Sequence, residues 1–181
     1  VNITSYVNAF MSFDIDTGIT SNASCSPTDC KIHGGVGATE GDNYTVDLGE
    51  LKSTYVNRSQ ESRMHIDGIL GTINSIYFDL STNSNGGAVV TVTSSTNNGL
   101  VGPDGSNITP VTDGNTIDSN SGKYGFNVLL SETSRIAGGM VIPNSSCDSE
   151  YKYCGTSTTE TEVFNTSSSP IDTARVRMDL A

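Results

Sequence analysis

Hydrophobic and polar side chains alternate along residues 1–16 (VNITSYVNAFMSFDID). Val1, Ile3, Val7, Ala9, Met11, Phe13 and Ile15 hold odd positions, and only Ser5 breaks the run. The even positions are mostly polar, with Tyr6 and Phe10 as exceptions. A period of two places one set of side chains on one face of an extended segment. At about 3.3 Å per residue such a segment reaches about 50 Å. A compact domain of this length has a radius of gyration of about 16 Å, so a diameter of roughly 40 Å. The stripe must therefore bend, break into two strands, or project into another molecule.

The same period returns further along. Residues 43–51 (NYTVDLGEL) alternate, as do 76–81, with Ile76, Phe78 and Leu80 in phase. An Asn/Gly cluster at 83–87 follows, and 88–93 resumes with Ala88, Val90 and Val92 in phase. Asn and Gly supply the positive-φ positions of a chain reversal, so residues 76–93 are expected to form a hairpin. Residues 123–130 and 135–142 predict two further strands. The turn-rich stretch 94–122 leaves room for one short edge strand. Residues 52–70 carry charges of both signs and suit either a short helix or a strand pair. The chain closes on 173–180 with faultless alternation: Ala174, Val176, Met178 and Leu180 face one way, and Thr173, Arg175, Arg177 and Asp179 the other. This last strand has no following hairpin partner, so residues 1–16, of the same chain or of another copy, are its expected neighbour. No linker or internal repeat divides the sequence. Short strands, long turn-rich connections and no amphipathic helix predict an all-β, jelly-roll-like β-sandwich with an extended N-terminal strand. Residues 1–16 form that strand and residues 17–181 a single sandwich domain.

Composition narrows the setting. The chain has 181 residues and opens on Val, as expected after removal of a secretory leader, a trimmed chain being the alternative. No apolar stretch is long enough to cross a bilayer. Four cysteines form two close pairs, Cys25 with Cys30 and Cys147 with Cys154. Such spacings suit two small disulfide loops in an oxidising compartment, although connectivity cannot be read from sequence. Zinc is the competing reading, but there is no CxxC, and His33 and His65 complete no recognisable ligand set. An extracellular or cell-surface location follows from these features. The net charge of −11 argues against nucleic acid, whose phosphates need Lys and Arg. Sequons occur at Asn2, Asn22, Asn43, Asn57, Asn107, Asn144 and Asn165. Given the host machinery they are acceptors for N-glycosylation; without it they are ordinary polar turn residues.

Catalytic signatures are absent, and no enzyme is expected. GxSxG is missing, and neither histidine lies in a nucleophile-elbow context. Asp14, Asp16 and Gly18 have the opening rhythm of a calcium loop, but Cys25 stands where a bidentate Glu is needed. That segment reads as a strand end turning into a loop. Gly34–Gly37 precede no helix and make no phosphate cradle. No cofactor or metal is called for. Tyr44, Tyr55, Tyr77, Tyr124, Tyr151 and Tyr153 are candidates for a sugar-stacking platform, although the chain has no Trp.

The stripe at 1–15, VDLGEL at 46–51, DLSTNSNGGAVVTV at 79–92 and the strand at 174–180 together resemble secreted fibre subunits. The likeness is to TasA/camelysin-type fibre proteins and to archaeal bundling pili and threads. It covers less than half of the chain and rests on patterns. The resemblance implies a jelly-roll subunit whose N-terminal strand inserts into the next copy. Carried over, the assembly residues are Val1, Ile3, Val7, Ala9, Met11, Phe13 and Ile15. The partners implied are copies of the chain in a head-to-tail polymer, with surface glycans a further class. The other reading is a monomeric cell-surface carbohydrate-binding or adhesin module, with the N-terminal strand folded back into its own sandwich.

Overall fold

The computed structural model describes residues 8–21, 46, 48, 51, 53–59, 72–96, 99–129, 140–149 and 151–181. These form an all-β sandwich, without helix among the described residues. The largest sheet joins β1 (Met11–Ser21), β2 (Thr72–Thr82), β10 (Ile171–Leu180) and β7 (Phe126–Leu129) in the order β1-β2-β10-β7. A second sheet contains β3 (Val89–Val92), β9 (Thr161–Asn165) and β8 (Ile142–Pro143), with β9 central. A third, small sheet is made of β4 (Leu100–Val101), β5 (Asn107–Pro110) and β6 (Lys123–Tyr124).

Alternation sets the inner face of the large sheet. Leu80, Phe78 and Ile76 of β2 lie opposite Ala174, Val176 and Met178 of β10. Met178 and Leu180 in turn lie opposite Val128 and Phe126 of β7. These side chains pack with Val163 and Phe164 of β9 into one core. Phe78 and Phe164 join the two sheets, their ring centroids 6.0 Å apart and tilted by 52°. Apolar surface removed from water here stabilises the fold by about 25 cal/mol per Å².

Two bulges put more residues into the core than alternation allows. The pairing of β3 with β9 steps from Val90↔Phe164 to Thr91↔Glu162, so Val163 is the extra residue. Val163 and Phe164 are consequently both buried despite being adjacent. In β10 the register shifts between Ile171 and Ala174, and both ends of the shift are buried. Ile171 thus joins the apolar set although it is out of phase with Ala174, Val176 and Met178.

The expected hairpin at 76–93 does not form. β2 and β3 exist, but β2 pairs with β1 and β10 whereas β3 pairs with β9 in the other sheet. The 83–87 turn is real, with Gly87 at φ 66° and its N–H donating to Ser84 O at 2.9 Å. It carries the chain from one sheet to the other instead of folding it back. A Cβ on Gly87 would run into Thr166 and the backbone of Ser168 and Ser169, so the turn nests against the β9–β10 connection. Alternation specifies which face a residue occupies and leaves the partner strand open. Likewise, the closing strand is central, between β2 and β7, and the described part of residues 1–16 pairs with β2 instead of with it. The stretch 94–122 holds two short strands instead of one, and β5 runs parallel to β6. Strand 123–130 is present, divided at Gly125 into β6 and β7. Of 135–142 and 43–51, most lies outside the described residues, as do residues 60–70.

Candidate assembly surface

β1 carries the C-terminal part of the opening stripe and lies at one end of the large sheet. Eleven registered pairs join it to β2, from Met11↔Thr82 to Ser21↔Thr72. Strand structure continues through position 16, and the Asp14–Asp16–Gly18 segment is mid-strand instead of a strand end. Residues 8–10 lead into it, held by Asn83: the Phe10 N–H donates to Asn83 Oδ1 at 2.8 Å, and Asn83 Nδ2 donates to Asn8 O at 2.8 Å.

The register puts Met11, Phe13 and Ile15 on the inner face, opposite Thr82, Leu80 and Phe78. Their β2 partners are 3%, 1% and 6% exposed, whereas the three β1 side chains are 64%, 41% and 37% exposed. Phe13 does stack on Phe78, with centroids 6.1 Å apart. The second sheet therefore covers β2, β10 and β7 but stops short of β1. Phe10, just before the strand, is also exposed. Among the described residues no strand pairs with the outer edge of β1. An unpaired strand edge beside an apolar strip is the kind of surface on which another chain can add a strand. Of the predicted assembly residues, Met11, Phe13 and Ile15 lie together on this face and Ala9 is exposed just before it. Val1, Ile3 and Val7 lie outside the described residues.

The opposite face of the large sheet holds a feature that alternation alone does not disclose. Asp179 is almost fully buried, accepts a short hydrogen bond from Ser75 Oγ, and receives Arg177 Nε at 3.0 Å. Asn127 lies opposite Asp179 in register and is also fully buried, with no hydrogen-bond partner for its amide among the described residues. The sequence places Arg177 and Asp179 on the polar face, which would ordinarily be solvated. The two-residue spacing of an Arg and an Asp on one strand face was the available signal for a pair. Burial pushes the Asp179 carboxyl above its ordinary range; the Arg177 charge and the Ser75 and Arg177 hydrogen bonds oppose this without overcoming it. A carboxyl raised in the native state ionises first in the unfolded chain. Stability is therefore highest below the ordinary Asp range, falls as pH rises through the shift, and is flat above it. Asp179→Asn removes this loss, so the variant should gain stability relative to the parent as pH rises from the ordinary Asp range of about 4. Urea unfolding across that rise in pH checks it; parallel pH profiles for the two proteins would refute it.

The remaining predicted sites scatter. Cys147 and Cys154 are joined by a disulfide with Cα atoms 5.4 Å apart; Cys25 and Cys30 lie outside the described residues. Among the sequons, Asn107 is exposed. Asn144 and Asn165 are partly buried and donate to Glu162 at 2.9 and 2.7 Å. Asn57 is buried, its Nδ2 donating to Leu48 O at 2.5 Å. Asn2, Asn22, Asn43, His33, His65 and Gly34–Gly37 lie outside the described residues. Tyr77 and Tyr153 are core residues, Tyr151 is exposed on the disulfide loop, and Tyr55 and Tyr124 line one cavity; Tyr44 is outside the described residues. Among the described residues no group of three or more His, Cys, Asp or Glu could hold a metal ion. No helix there is long and apolar enough to cross a membrane.

No protein-family model, curated protein or solved structure matches the chain.

Proposed function

We propose that this chain is a structural subunit of an extracellular filament or pilus, polymerising by insertion of its N-terminal strand into a neighbouring subunit. The observation that carries the reading is the uncovered apolar strip of β1 on an end strand. A strand held to the domain through one neighbour can exchange its own β2 for the β2 of another copy in the same register. The hydrogen bonds lost and gained are then identical, which makes exchange a low-cost route to association. Head-to-tail exchange that does not close generates an open filament. Covering Met11, Phe13 and Ile15 adds a gross gain of about 1.5–3 kcal/mol for each side chain buried, before ordering costs. A jelly-roll connectivity, secretion into an oxidising compartment, glycan on exposed sequons, and a role in adhesion or biofilm structure belong to the same reading.

A monomeric cell-surface binding module is the second reading, favoured by the eleven-position pairing of β1 with β2 of its own chain. Deleting residues 1–16 separates the two. A filament subunit lacking them should stay soluble and give no filaments in negative-stain microscopy, whereas a self-contained sandwich should unfold. Phe13→Asp with Ile15→Asp serves as a milder companion variant. An intact protein that remains monomeric at high concentration under native conditions overturns the filament reading.

A further inference from the structure

A cavity of about 320 Å³ opens between residues 48, 51 and 53–57 and the small β4-β5-β6 sheet. Its apolar lining comes from Leu48, Leu51, Val56, Ile108 and Ile117. Tyr55 and Tyr124 add aromatic surface, and Asp118, Asn120 and Lys123 give it polar groups. Its size and mixture of a mostly apolar lining with a few polar groups are those of a small-molecule site.

The walls are fixed by contacts outside the cavity. The Asn57 side chain bonds Leu48 O, and Ser59 exchanges hydrogen bonds with the backbone of Leu180 at 2.8 and 2.9 Å. Arg58 Nε donates to Tyr153 Oη at 2.8 Å. Opposite, residues 118–122 make a turn with Asn120 at φ 63° and Gly122 at φ 57°. The Thr109 N–H donates to Gly122 O at 3.0 Å and ties that turn to β5. Tyr124 Oη bonds Thr156 Oγ1 at 3.0 Å, which anchors the far end of its side chain. The site is therefore formed before any ligand arrives, and little ordering cost remains for binding.

Charge narrows the ligand. The Lys123 ammonium, which also donates to Thr109 Oγ1 at 2.7 Å, and the exposed Asp118 carboxylate balance each other in charge, and the Asn120 amide adds a neutral polar group. In a chain of net charge −11 this combination disfavours an anion. A purely apolar ligand would use the aliphatic floor and leave the carboxylate and amide unmatched. A bare hexose would satisfy the polar groups and waste the floor. A sugar ring bearing an acetamido group meets both: its methyl suits the aliphatic side chains, its C–H face the tyrosines, and its hydroxyls the Asp118 carboxylate.

We propose that this cavity binds a neutral N-acetylated hexosamine. The test is saturation-transfer NMR on the full chain, which works equally well for monomer and polymer and so does not depend on the filament reading. The probes are the methyl glycosides of N-acetylglucosamine and glucose, with octanoate as an apolar comparison. The expected result is saturation of the N-acetylglucosamine glycoside, strongest at the acetamido methyl. Asp118→Ala, an exposed position, and Tyr124→Ala should each weaken binding by about tenfold. Four outcomes overturn the proposal: no saturation of the sugar, equal saturation of the glucoside, response to octanoate alone, or binding indifferent to both substitutions.

Discussion

Phe164→Ala should lower the free energy of unfolding by about 3–5 kcal/mol, the range for removing a fully buried aromatic ring from a core. Phe164 has no exposed surface and is the β9 residue that meets Phe78 across the sandwich. Its neighbours cannot easily close the gap. Val163 is already turned into the core by the β-bulge, and Phe78 is held on its other side by the stacked ring of Phe13. The loss therefore includes both the transfer term and a residual cavity. Chemical denaturation checks it, with Val89→Ala as a comparison, since Val89 lies on the neighbouring strand but is largely exposed. That comparison should stay within about 0.5 kcal/mol of the parent. A loss at Phe164 no larger than that at Val89 would show that the two sheets do not depend on this contact.

Cys147→Ala with Cys154→Ala should cost about 2–4 kcal/mol, lowering the melting temperature of the oxidised protein and reducing its sensitivity to reductant. The closed loop is short, with a sequence separation of 7, so the chain-entropy contribution is at the low end, about 2–3 kcal/mol. The rest comes from position. Both cysteines are fully buried and belong to the same core as Phe126 and Val128. Their backbones flank β7: the Val128 N–H donates to Cys147 O at 2.7 Å, and Phe126 and Cys154 exchange hydrogen bonds at 2.8 and 2.9 Å. The disulfide loop thus acts as an additional partner for a four-residue strand. Melting temperatures unchanged by both reduction and substitution would remove the loop from the stabilising set.

The sequence was most legible where burial is one-sided. From Ile76 to Leu80 in β2 and from Ala174 to Leu180 in β10 the inner face is apolar at every second residue, and period alone identified Phe78, Leu80, Val176 and Met178 as core. It failed where geometry departs from that period. Val163 and Ile171 enter the core through bulges, and a bulge leaves no reliable trace in composition. It failed again over strand partners, because the turn at 83–87 has the residues of a reversal whether the chain returns to its own sheet or crosses to the next. For the candidate surface, the stripe predicted that Met11, Phe13 and Ile15 share a face. Their exposure was beyond its reach, since that depends on how far the opposite sheet extends. Asp179 was legible as a polar-face residue and illegible as a buried one, for the same reason.

The order β1-β2-β10-β7 has a consequence for how the sheet comes together. β2 is flanked by the earliest described strand on one side and by the final strand on the other, about a hundred positions later. Such contacts are far apart along the chain, and closing them is slow compared with forming local hairpins. As synthesis proceeds, the β10 side of β2 stays open until residues 171–180 exist. During that interval Phe78 and Leu80 stand beside an unpaired backbone edge, the combination that attracts other chains. Strand β10 therefore seals the centre of the sheet only after the strands that precede it have been made.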